Sequence, residues 1–304
     1  MKIGLLSAIL ADRSFAEAAA IASAIGYRGM EVACWPKGKA ERRYAGVTHI
    51  DVDALDEARK SEILSICSER NIAISALGYY PNPLDADPEK RGAYVAHLKK
   101  LIEAAAFLGV GTVGTFVGRV PDRTVDDNLK IFADVWPELI ALAEKNGVRI
   151  AIENCPMLFT ASEWPGGQNL AISPAIWRRM YEIIPSPNFG LNFDPSHFVW
   201  LQMDYIKPLY EFRDRIFHVH FKDIKLYRDR LDDVGTLAAP LEFMAPKLPG
   251  LGDVDWSRFV SALYDIGYDG YACVEVEDRA FEDSPERILA SLELSYHYMR
   301  NFVR

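Results

Sequence analysis

The sequence has few of the features that mark membrane, secreted or nucleic-acid-binding proteins. No segment of its 304 residues approaches the roughly 20 consecutive apolar residues that a membrane-spanning helix needs. The four cysteines lie far apart and form no Cys-x-x-Cys pair, which is typical of reduced cytoplasmic thiols rather than of a disulfide framework. The apolar start of the chain ends at Asp12 and Arg13, so we interpret it as a first strand and not as a signal peptide. We expect a cytoplasmic protein with no membrane partner.

Clusters of basic residues are also missing. The chain carries 34 Lys and Arg against 43 Asp and Glu, a formal charge of −9, and no basic run is longer than two residues. An acidic protein repels a phosphate backbone unless its basic side chains are gathered on one face. Nucleic acid is therefore not expected as a partner.

What the sequence does have is an alternation of short strand-like runs with amphipathic helical runs. Strands are predicted at Lys2–Leu6, Gly29–Ala33, Ile72–Leu77, Thr112–Phe116, Val148–Glu153, Asn188–Phe193, Ile216–Phe221 and Tyr271–Glu275. Helical runs fill the intervals, among them Asp51–Arg70 and Trp200–Arg213. This alternation favours parallel strands joined by right-handed crossovers, and eight such units close a TIM barrel. The first strand is not followed by the glycine fingerprint of a dinucleotide-binding sheet.

We therefore predict an α/β fold that consists of a single (β/α)8 barrel over residues 1–304. Two connections are long, at residues 154–172 after the fifth strand and 223–255 after the seventh. In a barrel both lie at the end where the strands finish, which is where the loops of such proteins build the functional site.

Four polar side chains stand at the carboxyl ends of the last four predicted strands. Glu153, Asp194, His220 and Glu275 follow the strand phase that carries the smaller or more polar residues. Residues of the other phase, such as Ile152, suit the face that packs on helices. We predict that the four side chains converge at the top of the barrel axis. The alternative for each of them is an ordinary hydrogen bond at a strand end.

Three carboxylates gathered in one cleft need protons or a shared cation. Two carboxylates repel by about 4 kcal/mol at a separation of about 4 Å and an effective dielectric constant near 20. Three oxygen donors with one imidazole nitrogen suit Mn²⁺, Mg²⁺ or Co²⁺ better than a thiolate-type structural Zn²⁺ site. We predict one divalent ion, with Mn²⁺ preferred, held by Glu153, Asp194, His220 and Glu275.

The motifs around these residues resemble those of a known family. They are Ile152-Glu153-Asn154, Asp194-Pro195-Ser196-His197, His218-Val219-His220-Phe221-Lys222-Asp223 and Val274-Glu275. In this order they resemble the sugar phosphate isomerase/epimerase family, which shares the xylose isomerase-like TIM barrel with endonuclease IV. The resemblance covers nearly the whole chain. It is specific for the superfamily and poorly specific for the substrate.

The resemblance implies a role for each matched residue. Glu153 and Glu275 would be metal ligands and also the acid/base pair on opposite faces of a keto-sugar. Asp194 and His220 would be ligands without a role in proton transfer. His197 would hydrogen-bond a substrate oxygen near the metal.

Further candidates for substrate contacts lie near the same end of the barrel. Glu31 ends the second strand, where it could bind a sugar hydroxyl or form a structural salt bridge, and His49 lies in a loop before the second helix as a candidate pocket residue. Aromatic side chains that could stack on a sugar, or pack in the core, are Trp35, Tyr79, Trp164 and Trp200. The clamping arginine of some epimerases has no clear match, which leaves Lys222, Lys225 and Arg228 as candidates.

The leading functional hypothesis is a divalent-metal-dependent isomerase or epimerase of a keto-sugar, which transfers an α-proton through a metal-stabilised enediolate. A rival keeps the site but expels a leaving group, as a lyase, deglycosidase or dehydratase of a 3-keto-glycoside or keto-polyol. An abasic-site endonuclease is a remote alternative, because the segment after His220 lacks further metal-binding histidines. A non-catalytic binding protein is the last class. The resemblance implies a small carbohydrate substrate and a homo-oligomer, with a second type of subunit if the protein is a lyase.

Overall fold

The computed structural model describes residues 1–38, 44–158 and 166–303. Its strands are β1 (Lys2–Leu6), β2 (Gly29–Ala33), β3 (Ala73–Gly78), β4 (Thr112–Thr115), β5 (Arg149–Glu153), β6 (Phe189–Phe193), β7 (Ile216–Phe221), β8 (Asp223–Leu226), β9 (Met244–Lys247) and β10 (Tyr271–Val274). All but β8 and β9 form one closed barrel in the order β1-β10-β7-β6-β5-β4-β3-β2. Every neighbouring pair in it is parallel. The predicted α/β fold with a closed (β/α)8 barrel is confirmed.

Helices alternate with these strands along the chain. Among the described residues they are α1 (Phe15–Ile25), α2 (Glu57–Arg70), α3 (Pro88–Leu108), α4 (Val125–Lys145), α5 (Pro174–Ile183), α6 (Pro195–Trp200), α7 (Lys207–Glu211), α8 (Arg228–Val234), α9 (Trp256–Asp265) and α10 (Pro285–Met299). None of the described helices combines the length and the apolarity that crossing a membrane requires.

Local sequence signals fix the ends of several helices. Ser14 and Glu17 form a reciprocal capping box at the start of α1, and the Thr124 side chain accepts a hydrogen bond from the Asp127 amide at the start of α4. Gly109 ends α3 with a φ of 74°, a left-handed conformation that glycine adopts without a steric penalty. These signals set the points at which the chain turns back into the barrel.

Three segments differ from the elements that the sequence predicts. The helix predicted over Asp51–Arg70 begins only at Glu57, because the Asp56 side chain caps it by accepting a hydrogen bond from the Arg59 amide. In place of one helix over Trp200–Arg213 the structure has α6 and α7, because Pro195 starts a helix earlier and Gln202, with a φ of 55°, interrupts it. The predicted loop at 223–255 contains the antiparallel hairpin of β8 and β9 and also the helix α8. Apolar and polar residues continue to alternate past the end of β7, so the chain extends into a further strand outside the barrel.

The apolar core lies between the barrel and the surrounding helices. Trp136 of α4 and Trp177 of α5 are fully buried, with ring centres 5.8 Å from Phe189 and 6.0 Å from Phe193 respectively. Burying a large side chain of this kind contributes about 1.5–3 kcal/mol. Because both contacts are made to β6, the strand that leads into Asp194 rests on a closely packed layer.

Candidate functional site

The structure brings the four residues of the predicted cluster together. Glu153 ends β5, Asp194 directly follows β6, His220 lies within β7, and Glu275 directly follows β10. One donor atom from each of them lies within 4.8 Å of a donor atom of every other. Three of the four are buried at 3% exposure or less, so their charges are poorly screened by water.

Several atoms of this cluster are buried and make no hydrogen bond. They are Glu153 Oε1, Asp194 Oδ2, His197 Nε2 and His220 Nδ1. Buried polar atoms are normally hydrogen-bonded, so a group of polar atoms that face one another without hydrogen bonds requires an explanation. His220 Nδ1 lies 3.4 Å from Glu153 Oε1 and 3.2 Å from Glu275 Oε2. Three carboxylates and one imidazole in this arrangement fit a divalent cation.

The ammonium group of Lys222 lies among the same carboxylates. Its Nζ atom is 3.0 Å from Asp194 Oδ2, 2.8 Å from Glu275 Oε2, 3.3 Å from Glu277 Oε2 and 3.7 Å from Glu153 Oε1. Burial would lower the pKa of Lys222, but the carboxylates around it raise that pKa well above its usual value. Neighbouring carboxylates also raise the pKa of His220 well above its usual value in spite of its burial, so the cluster attracts positive charge strongly.

The two glutamates of the cluster are pushed toward different protonation states. Burial would raise the pKa of Glu153, but Lys222 and His220 hold it well below its usual value. Burial raises the pKa of Glu275, and Glu153 and Glu277 add to this effect in spite of Lys222. Carboxyl groups with pKa values that diverge in one site suit a base and an acid.

A carboxylate behind His220 fixes the orientation of its ring. Glu31 Oε2 lies 2.8 Å from His220 Nε2, and the Tyr80 hydroxyl donates a hydrogen bond to Glu31 Oε1. Both side chains are buried. An Nε2–H group that donates to Glu31 leaves Nδ1 to face the cluster, which is the arrangement by which proteins orient a histidine toward a metal.

Two glycines make room for this support. A Cβ atom at Gly78 would lie 2.7 Å from Glu31 Oε1, and one at Gly114 would lie 2.5 Å from the Tyr80 hydroxyl oxygen. These glycines are therefore required by close approach rather than by backbone conformation.

The start of α6 connects a cluster residue with a neighbouring histidine. The Asp194 side chain accepts a hydrogen bond from the Ser196 amide through Oδ1 and turns Oδ2 toward the cluster. One turn later, His197 Nε2 lies 3.3 Å from Asp194 Oδ2 and 3.6 Å from Glu153 Oε1. The indole of Trp200 donates to His197 Nδ1 at 3.4 Å, so the Nε2 side of the ring faces the site.

A cavity of about 1120 Å³ opens above the cluster at this end of the barrel. Of the residues predicted to contact a substrate, Trp35, His197 and Lys222 line it together with Glu153 and Glu275. Drug-sized ligands occupy cavities of about 300–1,000 Å³, so a small carbohydrate can enter and reach both glutamates.

Three other predicted substrate contacts lie elsewhere among the described residues. Glu31 is buried behind His220 and does not line the cavity. His49 packs below the surface, with Nδ1 2.9 Å from Ser7 Oγ and Nε2 3.1 Å from the Leu10 carbonyl. Arg228 is exposed at the start of α8 and donates to Gln202. The predictions for Glu31, His49 and Arg228 as direct substrate contacts are therefore not supported by their positions.

The other candidates from the sequence are placed as follows. Tyr79 and Trp200 line the cavity. Lys225 does not, and it donates to Asp253 at 3.1 Å. Trp164 lies outside the described residues.

Sequence reasoning missed two residues that shape the site. Tyr80 follows β3 and both lines the cavity and supports Glu31. Asn169 is fully buried, and its amide group donates to the carbonyl oxygens of Glu153 and Cys155 at 2.9 and 2.7 Å. The position of Tyr80 just beyond a strand end was a usable signal, whereas Asn169 lies in a long connection with no local pattern.

Comparison with known proteins supports the barrel fold. A family model described as a xylose isomerase-like TIM barrel matches residues 19–298. Inosose dehydratase from Lacticaseibacillus casei is 26% identical over 202 residues, which cover 65% of this chain and 66% of that protein, just under two thirds of its length.

Solved structures show the same fold. The IOLI protein with a bound zinc atom superposes with a TM-score of 0.72 at 19% identity, covering 100% of this chain and 98% of that one. The 3-keto-D-glucoside 4-epimerase YcjR from E. coli superposes with a TM-score of 0.71 at 20% identity, covering 99% of each chain.

Proposed function

We propose, from the fact that this chain belongs to the xylose isomerase-like TIM-barrel family, that it is a divalent-metal-dependent isomerase or epimerase of a keto-sugar. The observation that carries the proposal is the set of buried, unbonded donor atoms on Glu153, Asp194 and His220 that face one another below an open cavity. Glu275 completes the set, so that one side chain comes from the end of each of four neighbouring strands.

In this proposal the two glutamates transfer the proton. One glutamate removes the proton next to the substrate carbonyl, and the other returns a proton to the substrate. They approach from different sides because β5 and β10 are separated by β6 and β7 in the barrel. A divalent ion held by the cluster supplies electrophilic stabilisation of the negative charge that develops on the substrate oxygens.

In this proposal His197 and Lys222 bind the oxygens of the substrate. Both line the cavity, and both lie within 3.7 Å of cluster carboxylates. Each offers an N–H group that can donate a hydrogen bond to a substrate oxygen, and these hydrogen bonds orient the substrate.

A lyase or dehydratase outcome is the second candidate. The observation that favours it is the same pair of N–H donors, since either His197 or Lys222 can protonate a leaving hydroxyl or alkoxide after Glu153 has taken the α-proton. The likeness to inosose dehydratase supports this candidate as well.

The metal we propose is Mn²⁺, with Mg²⁺ and Co²⁺ as alternatives, because oxygen donors predominate in the cluster. The zinc atom in the related IOLI structure makes Zn²⁺ the ion to compare. Metal analysis of protein purified without chelators identifies the ion. Fewer than about 0.1 ions of any divalent metal per chain, with no binding on titration, contradicts the proposal.

The central experiment measures exchange of the α-proton in D₂O for a panel of keto-sugars. We expect deuterium at the carbon beside the carbonyl, with otherwise unchanged mass for an epimerase or isomerase and a released fragment or water for a lyase or dehydratase. Glu153→Gln and Glu275→Gln should each lower turnover by at least about 100-fold, because each removes one proton-transfer group. Glu293→Gln, which changes an exposed glutamate on α10, is the matched control and should leave turnover unchanged.

If either cluster variant keeps turnover within about tenfold of the parent, that glutamate is not an essential acid or base. If the metal binds but no keto-sugar exchanges its proton, a binding protein replaces the enzyme.

We further propose a single folding unit that forms a homo-oligomer. Exposed apolar side chains on α9 and α10, namely Tyr264, Leu294 and Tyr298 at 46%, 53% and 37% exposure, offer a surface for association. Light scattering on the eluting protein tests this, and a monomer at micromolar concentration contradicts it. If the activity proves to be that of a lyase, co-purification with a second type of subunit is the corresponding test.

A further inference from the structure

The cavity above the cluster is larger than a monosaccharide requires. Its volume of about 1120 Å³ exceeds the roughly 300–1,000 Å³ of sites that enclose drug-sized ligands, which are themselves larger than a ketohexose. The acid/base pair and the two N–H donors that would bind the sugar lie together around Lys222. Much of the cavity therefore remains for another part of the ligand.

The remaining lining is largely apolar and lies toward the mouth. It includes Trp35, Tyr94, Met157, Leu158, Leu241 and Met244. These side chains are partly or fully exposed, whereas Glu153, His197 and Lys222 are buried, so the cavity passes from a charged floor to an apolar rim. A free sugar presents hydroxyl groups in most directions and would leave this rim in contact with water.

The hairpin of β8 and β9 holds part of the rim in place. Buried Asp223 accepts hydrogen bonds from the amides of Ile224, Gly250 and Val254 and from the Trp256 indole, at 2.8–3.0 Å. The hairpin and the chain that follows it are thereby tied to the end of β7. A wall that is fixed before the ligand arrives loses little conformational entropy on binding.

Leu241 lines the cavity at its mouth, and 60% of this residue is exposed to solvent. Apolar side chains gathered at a cavity entrance mark a surface that a ligand covers. Met157 adds a second observation, because it lines the cavity with a φ of 56°, a backbone conformation that costs a non-glycine residue about 1–3 kcal/mol and that is concentrated at binding sites.

We infer that the rim is a subsite for an aromatic group attached to the sugar, so that the substrate is a keto-glycoside with an aromatic aglycone. The inference rests on the proposed function for the sugar part of the substrate, and on the rim residues for the aglycone. A flat ring can stack on Trp35 and cover Leu241 and Met244, which removes apolar surface from water on both partners.

The test compares two unreactive probes that differ only at the aglycone. Phenyl β-D-glucoside and methyl β-D-glucoside are titrated into the metal-loaded protein by calorimetry. We expect the phenyl glycoside to bind at least about tenfold more tightly, because its ring buries apolar area at the rim. Equal affinities, or no measurable binding of the phenyl glycoside, overturn the inference.

A pair of leucines in one loop provides matched variants. Leu241→Ser removes a rim side chain and should reduce the preference for phenyl over methyl by about three- to tenfold. Leu237→Ser changes a leucine at 83% exposure that does not line the cavity, and it should leave the preference unchanged. Because both positions are exposed, neither variant should unfold the protein. Equal effects of the two variants contradict the assignment of the rim.

Proton exchange on a free ketohexose separates this inference from the proposed function. Exchange without a preference for the phenyl probe leaves the proposed reaction standing and refutes the aromatic subsite. A preference for the phenyl probe without exchange on any ketose or keto-glycoside supports the subsite and refutes the proposed reaction.

Discussion

Replacing Glu31 tests whether the carboxylate behind His220 prepares the site for a metal. Glu31 is fully buried, and Oε2 lies 2.8 Å from His220 Nε2, so it contacts the ring on the side away from the cluster. Glu31→Gln keeps the shape and one acceptor but removes the charge. Glu31→Ala removes the acceptor and leaves His220 Nε2 without this partner.

The expected magnitude follows from what each variant removes. Loss of a group that orients a metal-binding histidine usually costs 10–100-fold in metal affinity, or about 1.4–2.8 kcal/mol. Glu31→Gln should fall near the lower limit, because a neutral hydrogen bond replaces one that is roughly twice as strong. Glu31→Ala should fall nearer the upper limit, since the carboxylate no longer holds the ring and the Asn192 amide, 2.9 Å from His220 Nε2, is the neighbour that stays.

The assay is competition for Mn²⁺ or Co²⁺ against a fluorescent chelator, with circular dichroism to establish that each variant is folded. Tyr80→Phe serves as the graded variant, because it removes the hydroxyl that donates to Glu31 and accepts from Asn192, and it should lower the affinity by a few-fold. A folded Glu31→Ala variant that binds the metal within about twofold of the parent refutes this role of the carboxylate.

Three further predictions concern stability. Lys222→Met should destabilise the metal-free protein by about 3–5 kcal/mol in a denaturant titration, because it leaves buried carboxylates without their cation. Saturating metal should restore much of this stability. An equal loss with and without metal would contradict the prediction. Gly114→Ala should cost about 1–3 kcal/mol, because the new Cβ would lie 2.5 Å from the Tyr80 hydroxyl, whereas Gly111→Ala has no heavy atom within 4 Å and should be nearly neutral in the same titration. Asp223→Asn should lower the free energy of unfolding by about 1–3 kcal/mol and speed proteolysis within the β8–β9 hairpin. The reason is that an amide places a donor where backbone N–H groups already donate. Unchanged proteolysis would show that other contacts hold the hairpin.

The sequence predicted the barrel and the cluster for one physical reason. Side chains alternate along a strand and parallel strands finish at one end of a barrel, so local patterns around Glu153, Asp194 and Glu275 already carry three-dimensional information. His220 could be separated from His218 in the same way, by its position one layer nearer the strand end. The caps at Ser14 and Thr124 also depend only on local contacts.

Contacts across the barrel could not be predicted from local sequence patterns. Glu31 lies in the middle of β2 and not at its end, and its carboxylate lies behind His220 because glycines on two neighbouring strands leave room there. The sequence puts His49 in a loop at the same end of the barrel. Its ring instead contacts Ser7 and the Leu10 carbonyl, which are about 40 residues away along the chain and are not encoded by a local pattern. The hairpin in the long loop after β7 depends on Asp223, whose partners lie up to 33 residues further along the chain.

The two carboxylate oxygens of Asp194 have different roles, and this affects how substitutions at Asp194 are interpreted. One oxygen begins a short helix and the other faces the charged cluster, while the histidine one turn later rides on that helix. A change at this residue alters the cation site and displaces the histidine together, so the loss it causes measures two effects at once. Mutagenesis of Glu275, which follows its strand without starting a helix, leaves this histidine in place and changes the cation site together with a proposed proton-transfer group.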